Sequence, residues 1–428
     1  MNFGKIRRFI VKNRFSLIFV IILIIGLYLR FYNLSNYFGY GWDQARDAWK
    51  TRDIIHGQLV LNGPRTGIGH FNLGPLWYYL LVPFYFFTNL DPIGATYLNI
   101  LINIFNFIAT FWVTKKIYNE KAALFISLII ALNRYLININ QIPWNVSPVP
   151  GVTILIFYGI YSVVLKNNYK WIPWIVFLTG LFLHLHFAIV FVIPIVFVSL
   201  LFAKDKKQVI KKGLISLPLF LVWFIPNIAY DMLNKYGNYN LFSNFFKDYW
   251  INGFHLRFFL FRLNDAFIQF QTVFSLPSQY PLLKYIIPTI FIIVLLFEKN
   301  KKTKLLGILM FLWFIIPAVV YTFYGGSTSE YYVLINMPMV LYIVLYLQKK
   351  LIGIGFKPLI LLSLVAIWIF YGYSNTFNLW TKPSNGGLNK AKADVRKIIK
   401  AGEKIPFNEG DIMSYIYFTC IYDHKLCN

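Results

Sequence analysis

The sequence predicts an all-α polytopic membrane protein, and three observations carry that reading. The 428 residues are 58% hydrophobic and 20% aromatic with only 13% charged, against roughly 25% charged in soluble domains. Long apolar runs, each about the length that crosses a hydrocarbon core, recur along most of the chain. Lysine and arginine crowd onto alternate connections between those runs.

The first run, 15–32, follows Lys5, Arg7, Arg8, Lys12 and Arg14. A basic lead of this kind also begins signal peptides. The run is long, however, and the following LYLRFYNLSNYF offers no small-residue cleavage site, so a retained helix is expected. Further spans are expected over 92–114, 121–137, 149–165, 171–185, 187–203, 213–230, 282–297, 304–324, 330–347 and 357–374. That makes about eleven crossings, forming a domain over 1–374.

With the N-terminus inside, the inner segments 1–14, 115–121, 166–170, 204–212, 298–304 and 349–357 hold 22 of the 41 basic residues. They hold only Glu120, Asp205 and Glu298 of the 16 acids. The opposite orientation would break the charge rule at every loop. The expectation is therefore a multi-pass protein of the cell membrane with a cytoplasmic N-terminus and an extracytoplasmic tail. The net charge of +25 is mostly this topological bias and does not imply a nucleic-acid partner. No phosphate-binding Walker loop or dinucleotide fingerprint is present, so the energy for any reaction comes from an activated substrate or a gradient.

Three outer segments are sizeable. The first, 33–91, spends three of the few acids in YFGYGWDQARDAWKTRDIIHG. Two surface helices are expected there, about Asp43 to His56, stopped at Gly57, and residues 74–87 with Pro75 in the first turn. Asp43, Arg46, Asp47 and Lys50 then share one helical face. A solvated salt-bridge face would account for them blandly. Ionisable groups hemmed in by aromatics at a bilayer surface are costly, though, unless they bind something. The intervening LNGPRTGIGHFNLG carries Arg65 and His70 on a glycine-rich loop suited to close approach of a ligand.

His184 and His186 fall at an outer turn, either as helix-end groups bonded to backbone or as part of a site. The second outer segment, 231–281, is rich in aromatics and reads as an amphipathic cover over a cavity. Glu330 opens a later span, as a helix cap or as a partner of sugar hydroxyls. The third segment, the tail 375–428, reads as a small soluble appendage with a helix near 393–399 and a strand-like MSYIYFTCIY. It holds both cysteines, Cys420 and Cys427, either as a disulfide or as two thiols.

YGWDQARDAW, RDIIHGQLVLNGPRTGIG and GPLWYYLLVPFYFF, with QIPWNVSPVPGVTIL and GLFLHLHFAIVFVIPIV further on, resemble the N-terminal half of polytopic C-fold (GT-C) glycosyltransferases. The likeness is to prokaryotic relatives of the dolichyl-phosphate-mannose protein mannosyltransferases and of the aminoarabinose-lipid A transferases, and it covers roughly residues 15–200. The resemblance implies inverting transfer of a hexosyl or pentosyl unit from a polyprenyl-phosphate sugar to a glycan, lipid or protein acceptor at the outer face. It places the catalytic base at Asp43. The family's paired acids are absent, because Gln44 follows Asp43. Arg46, Asp47, Arg65, His70, Arg134, His186, Arg257 and Arg262 are the candidates for the donor and its phosphate. A divalent metal on Asp47, His70 and His186 stays open. The alternative function is a lipid or solute transporter, which would concentrate ionisable groups near mid-span.

Overall fold

A computed structural model describes residues 3–67, 69–250, 256–274, 280–323, 334–353, 387–402 and 412–422. The described part is helical: α1 (Phe3–Phe31), α2 (Leu34–Tyr37), α3 (Trp42–Ile55), α4 (Leu76–Phe87), α5 (Ile93–Ile117), α6 (Glu120–Leu132) and α7 (Arg134–Asn140) come first. They are followed by α8 (Val149–Lys166), α9 (Ile172–Leu185), α10 (Ile189–Leu200), α11 (Lys206–Leu221), α12 (Ile225–Leu233) and α13 (Gly237–Trp250). The last are α14 (Leu256–Val273), α15 (Leu283–Leu296), α16 (Lys301–Thr322), α17 (Met337–Gly353), α18 (Leu388–Ala401) and α19 (Ile412–Tyr422).

Among the described residues, Val11–Phe31, Ile93–Ile117, Val149–Lys166, Lys206–Leu233 and Lys301–Thr322 are long and apolar enough to cross a membrane. The helices α6 and α7 make a sixth candidate, bent by 64° at its break. Shorter apolar helices occupy the expected spans at 171–185, 187–203 and 282–297. The span expected over 330–347 begins at α17, and 357–374 lies outside the described residues. The protein is a helical membrane protein.

The bend between α6 and α7 has a local cause. Asn133 interrupts the helix, and its side-chain oxygen accepts from Leu136 N to start α7. Breaking a helix in an apolar setting orphans the last carbonyls of its first half. Arg30, fully buried near the end of α1, meets them. Its Nη2 donates to Ile130 O (2.6 Å) and its Nη1 to Ala131 O (3.0 Å), while the guanidinium stacks on Phe107. Nothing in LYLRFYNL distinguishes this arginine from an interfacial anchor, so its role is visible only in three dimensions. Arg30→Met is expected to leave both carbonyls unpaired, at about 1–3 kcal/mol each. The check is a lower thermal midpoint of the detergent-purified protein, and an unchanged midpoint would refute this account of the bend.

Two apolar clusters divide the molecule. The larger fills the bundle, with Phe157, Trp313, Phe314 and Tyr342 at its centre. The smaller joins α3, α4 and one end of α5 to the tail, through Ala45, Ala48, Trp77, Tyr85, Leu388, Tyr417 and Phe418. The tail is tied to the first outer segment, since Leu388 N donates to Phe38 O and Tyr417 OH to Leu90 O (2.7 Å). It therefore lies on the same side of the bundle as α3.

One local expectation is corrected. MSYIYFTCIY is the helix α19 and not a strand, because Tyr417, Phe418 and Cys420 are buried together against α3 and α18. Tertiary packing here outweighs the strand preference of Tyr, Ile, Phe and Thr. Cys420 is disulfide-bonded, and Cys427 lies outside the described residues. Within 231–281, α13 lies over the glycine-rich loop, with Phe242 and Phe245 around Phe71. By contrast α14 runs antiparallel to α16, with Arg262 beside Tyr321 and Phe270 beside Phe314.

Candidate active site

The site is built outward from the start of α3. Gly41 leads the helix, and its N–H donates to Gln44 Oε1 (3.1 Å), half of a capping box. Gln44 Nε2 also donates to Pro143 O (3.3 Å) in the loop after α7. The residue standing where the family pattern has a second acid thus holds two backbone segments together.

Asp43 occupies the first turn of α3, and half of its side chain is exposed. Arg46 Nη1 donates to Asp43 Oδ1 at 2.7 Å. The same guanidinium reaches Asp47 Oδ1 through Nε (3.0 Å) and Nη2 (2.7 Å). Asp47 is 2% exposed, and its Oδ2 accepts from Trp77 Nε1 on α4 at 2.7 Å. Burial pushes the Asp47 carboxyl above its ordinary value, and Arg46 and Trp77 only partly offset that. Burial alone would lower the Arg46 guanidinium, yet Asp47, Tyr78 and Asp43 hold it above its ordinary value, firmly charged. This is no solvated surface pair, and Lys50 stays apart from it, bridging to Asp53 at 3.4 Å.

The loop 57–74 forms a small hairpin, with Arg65 bridged to Asn72 and Thr66 N donating to Phe71 O. Arg65 Nε donates to His70 O (2.7 Å), and His70 itself sits at φ 56 with its side chain exposed. Two of the loop's glycines allow close approach of chain to chain. A Cβ at Gly63 would lie 2.0 Å from Gly74 O, and one at Gly74 would lie 2.2 Å from the His184 ring. His184 Nε2 donates to Trp223 O (2.7 Å) and its Nδ1 accepts from Leu76 N (3.3 Å). It is a backbone tie between α4, α9 and the segment before α12.

His186 sits in the break between α9 and α10, 5% exposed, its Nδ1 accepting from Ala188 N at 3.1 Å. Burial depresses it from 6.5 to about 3, so the folded protein holds it neutral. The unfolded chain protonates the same ring near 6.5. Stability from this residue is thus complete above about pH 6.5 and is lost as pH falls toward 3. His186→Gln, which cannot titrate, is expected to flatten the fall in thermal midpoint between pH 6.5 and 4. Parallel midpoint curves for the two proteins would contradict this.

Asp43, Arg46, Arg65, Thr66, Trp144, Asn145 and His186 line one open cleft of about 60 Å³, space for a few waters. Asn145 Nδ2 donates to Leu185 O (2.5 Å), tying the 141–148 loop to the turn that carries His186. Trp77, Thr66, Trp144 and Asn145 are absent from the sequence-derived candidates. Their only signal is their place within the GPLWYY, PRTG and QIPWNV tracts.

Of the arginines offered for phosphate, Arg46 and Arg65 line this cleft and the others stand elsewhere. Arg134 is in the first turn of α7, and Arg257 is exposed at the start of α14. Arg262 is buried on α14, with Nη1 3.2 Å from Asp265 Oδ2 and its guanidinium over Phe261 and Tyr321. Among the described residues no three His, Cys, Asp or Glu side chains are placed to share a metal ion. The trio Asp47, His70 and His186 is therefore corrected: Asp47 is bonded to Trp77 and Arg46, and His70 is exposed on the hairpin. The Asp43 carboxylate can accept a proton from a group entering the cleft, and Arg46 and Arg65 present positive charge to an anion there. Glu330 lies outside the described residues.

A helical membrane fold with an ionised cleft at one end of its bundle is the class defined so far, and the comparisons narrow the fold. No family model and no curated protein matches this chain. Solved structures do match in fold. ArnT from Cupriavidus metallidurans bound to undecaprenyl phosphate superposes with a TM-score of 0.54 at 13% identity, covering 80% of this chain and 63% of that one. The same protein in the apo state gives 0.51 at 14%, covering 78% and 62%. The Archaeoglobus fulgidus oligosaccharyltransferase complex with Zn and sulfate gives 0.51 at 12%, covering 94% and 57%. This chain thus spans about three fifths of the length of those proteins. It has the GT-C fold that they share.

Proposed function

We propose that this protein is a membrane glycosyltransferase that moves a sugar from a polyprenyl-phosphate donor to an acceptor hydroxyl at the extracytoplasmic face. One observation carries the reading: on a GT-C fold, the half-exposed Asp43 shares a cleft with two arginines. Asp43 is the base that takes the proton of the acceptor hydroxyl as its oxygen attacks the anomeric carbon. The bond to the polyprenyl phosphate breaks on the opposite side, so configuration inverts. Arg65 and Arg46 stabilise the leaving phosphate, the latter by shifting part of its guanidinium from Asp43 to phosphate oxygens. Asp47 and Trp77 hold Arg46 in place and need not touch the substrate. The acceptor is a glycan, a lipid or a protein, and no step is assigned to a metal.

The charge distribution supports a cytoplasmic N-terminus, with α3, its cleft and the tail outside. The α13 helix, over the hairpin that carries Arg65, serves as the cover of the cleft. The test is incubation of the purified protein with synthetic polyprenyl-phosphate hexoses and pentoses and a glycan, lipid or peptide acceptor. Loss of sugar from the lipid, with inverted configuration in the product, is the expected result. Unchanged donor across the panel, or retained configuration, would overturn the proposal.

A further inference from the structure

A second cavity, of about 370 Å³, opens where the far ends of α3 and α4 meet α19, lined by Arg52, Ile55, His56, Phe86 and Asn89 among others. Its size falls within the range of ligand-binding clefts. Arg52 stands nine residues from Asp43, about 14 Å along the helix and on its opposite face. This cavity is therefore separate from the cleft described above.

Four features of its walls point to one ligand chemistry. Arg52 is half-buried and stacks on Trp49, and among the described residues it has no carboxylate partner. Among the described residues the two nearby acids are already engaged, Asp53 by Lys50 and Asp91 by Lys392. His56 sits beside Arg52, with Nδ1–H donating to the Arg52 carbonyl (2.8 Å) and Nε2 without a partner among the described residues. The opposite wall is a turn in which Asn89 (φ 50) and Leu90 (φ 65) both adopt left-handed backbone. For leucine that conformation is costly, and strain of this kind persists only where the surroundings enforce it. Here Tyr417 of the tail does so, through its bond to Leu90 O. The rim is apolar: Phe86 and Phe87 are 64% and 82% exposed at the end of α4, a surface suited to the bilayer or to a lipid.

A cation with no carboxylate partner among the described residues, beside an apolar rim at the end of a juxtamembrane helix, matches a phosphodiester with acyl chains attached. We infer that the Arg52 cavity holds the headgroup of an anionic phospholipid, its phosphate on Arg52 and His56 and its chains over Phe86 and Phe87. The inference rests on α3 and α4 lying at the membrane surface and not on the sugar-transfer reading.

The test is native mass spectrometry of the full-length detergent-purified protein, titrated separately with dioleoyl phosphatidylglycerol, dioleoyl phosphatidylcholine and soluble glycerol phosphate. One phosphatidylglycerol per chain is expected to bind at least about tenfold more tightly than phosphatidylcholine, and Arg52→Gln is expected to remove that preference. Arg65→Gln, in the other cleft, is expected to keep it. Equal affinity for the two lipids, or an Arg52→Gln protein that still prefers phosphatidylglycerol, would overturn the inference. Glycerol phosphate binding as tightly as phosphatidylglycerol would also overturn it, by showing a site for free phosphate esters. If Arg52→Gln does not fold, His56→Gln at the exposed end of the helix carries the comparison. A several-fold loss of preference then supports the site, and no loss rejects it.

Discussion

Asp43→Asn is expected to lower the turnover of sugar transfer by roughly 10²–10⁴-fold, the usual contribution of a positioned general base. The amide keeps the shape of the carboxylate and can still accept from Arg46 Nη1, so the helix start and the cleft should survive. Donor affinity should therefore change little, and the loss should fall in kcat. Asp53→Asn is the control. It removes a partly exposed bridge to Lys50 at the far end of α3 and should leave turnover within a few-fold of wild type. The measurement is initial rate under saturating donor, alongside the Kd for the unglycosylated polyprenyl phosphate. A folded Asp43→Asn protein that transfers sugar at near-wild-type rate would remove Asp43 from the chemistry.

Arg46→Met should have the largest effect on stability at the site. It strands the Asp47 carboxylate, 2% exposed, with Trp77 Nε1 as its remaining partner. Breaking one side of a buried ion pair costs about 3–5 kcal/mol, because the other charge is left without compensation. Adding Asp47→Leu to Arg46→Met removes that charge, so the double variant should regain part of the loss while staying inactive. Thermal unfolding of wild type, both single variants and the double variant closes the cycle. A double variant as unstable as Arg46→Met alone would show that the cost lies in packing around the arginine and not in the orphaned carboxylate.

The same ion pair illustrates where sequence reasoning reaches its limit. The spacing of Asp43, Arg46, Asp47 and Lys50 puts four charges on one helical face. Only the packing of α4 onto α3 decides that Asp47 is buried under Trp77 and Arg46 while Lys50 turns to Asp53. Likewise the arginines at 65, 134, 257 and 262 are equivalent as phosphate partners in a linear chain. The bend at Asn133, the hairpin at 65–72 and the antiparallel seat of α14 against α16 separate them in space.

What the sequence determines by itself is whatever depends on near neighbours and on the solvent. Apolar run length placed the helical spans that lie within the described residues, and a helix over about Asp43 to His56 was legible from its periodicity and from Gly57 (φ 87) after its end. What only the tertiary structure decides is whatever joins residues distant in the chain. That includes the helical form of MSYIYFTCIY against α3, the 100-residue reach of Arg30 to the carbonyls of the broken helix, and the use of Gly63 and Gly74 for chain packing. Helical periodicity and hydropathy are local quantities, written into every few residues. A buried polar group finds its partner only after the chain has collapsed, and the identity of that partner leaves no mark on the residues around it.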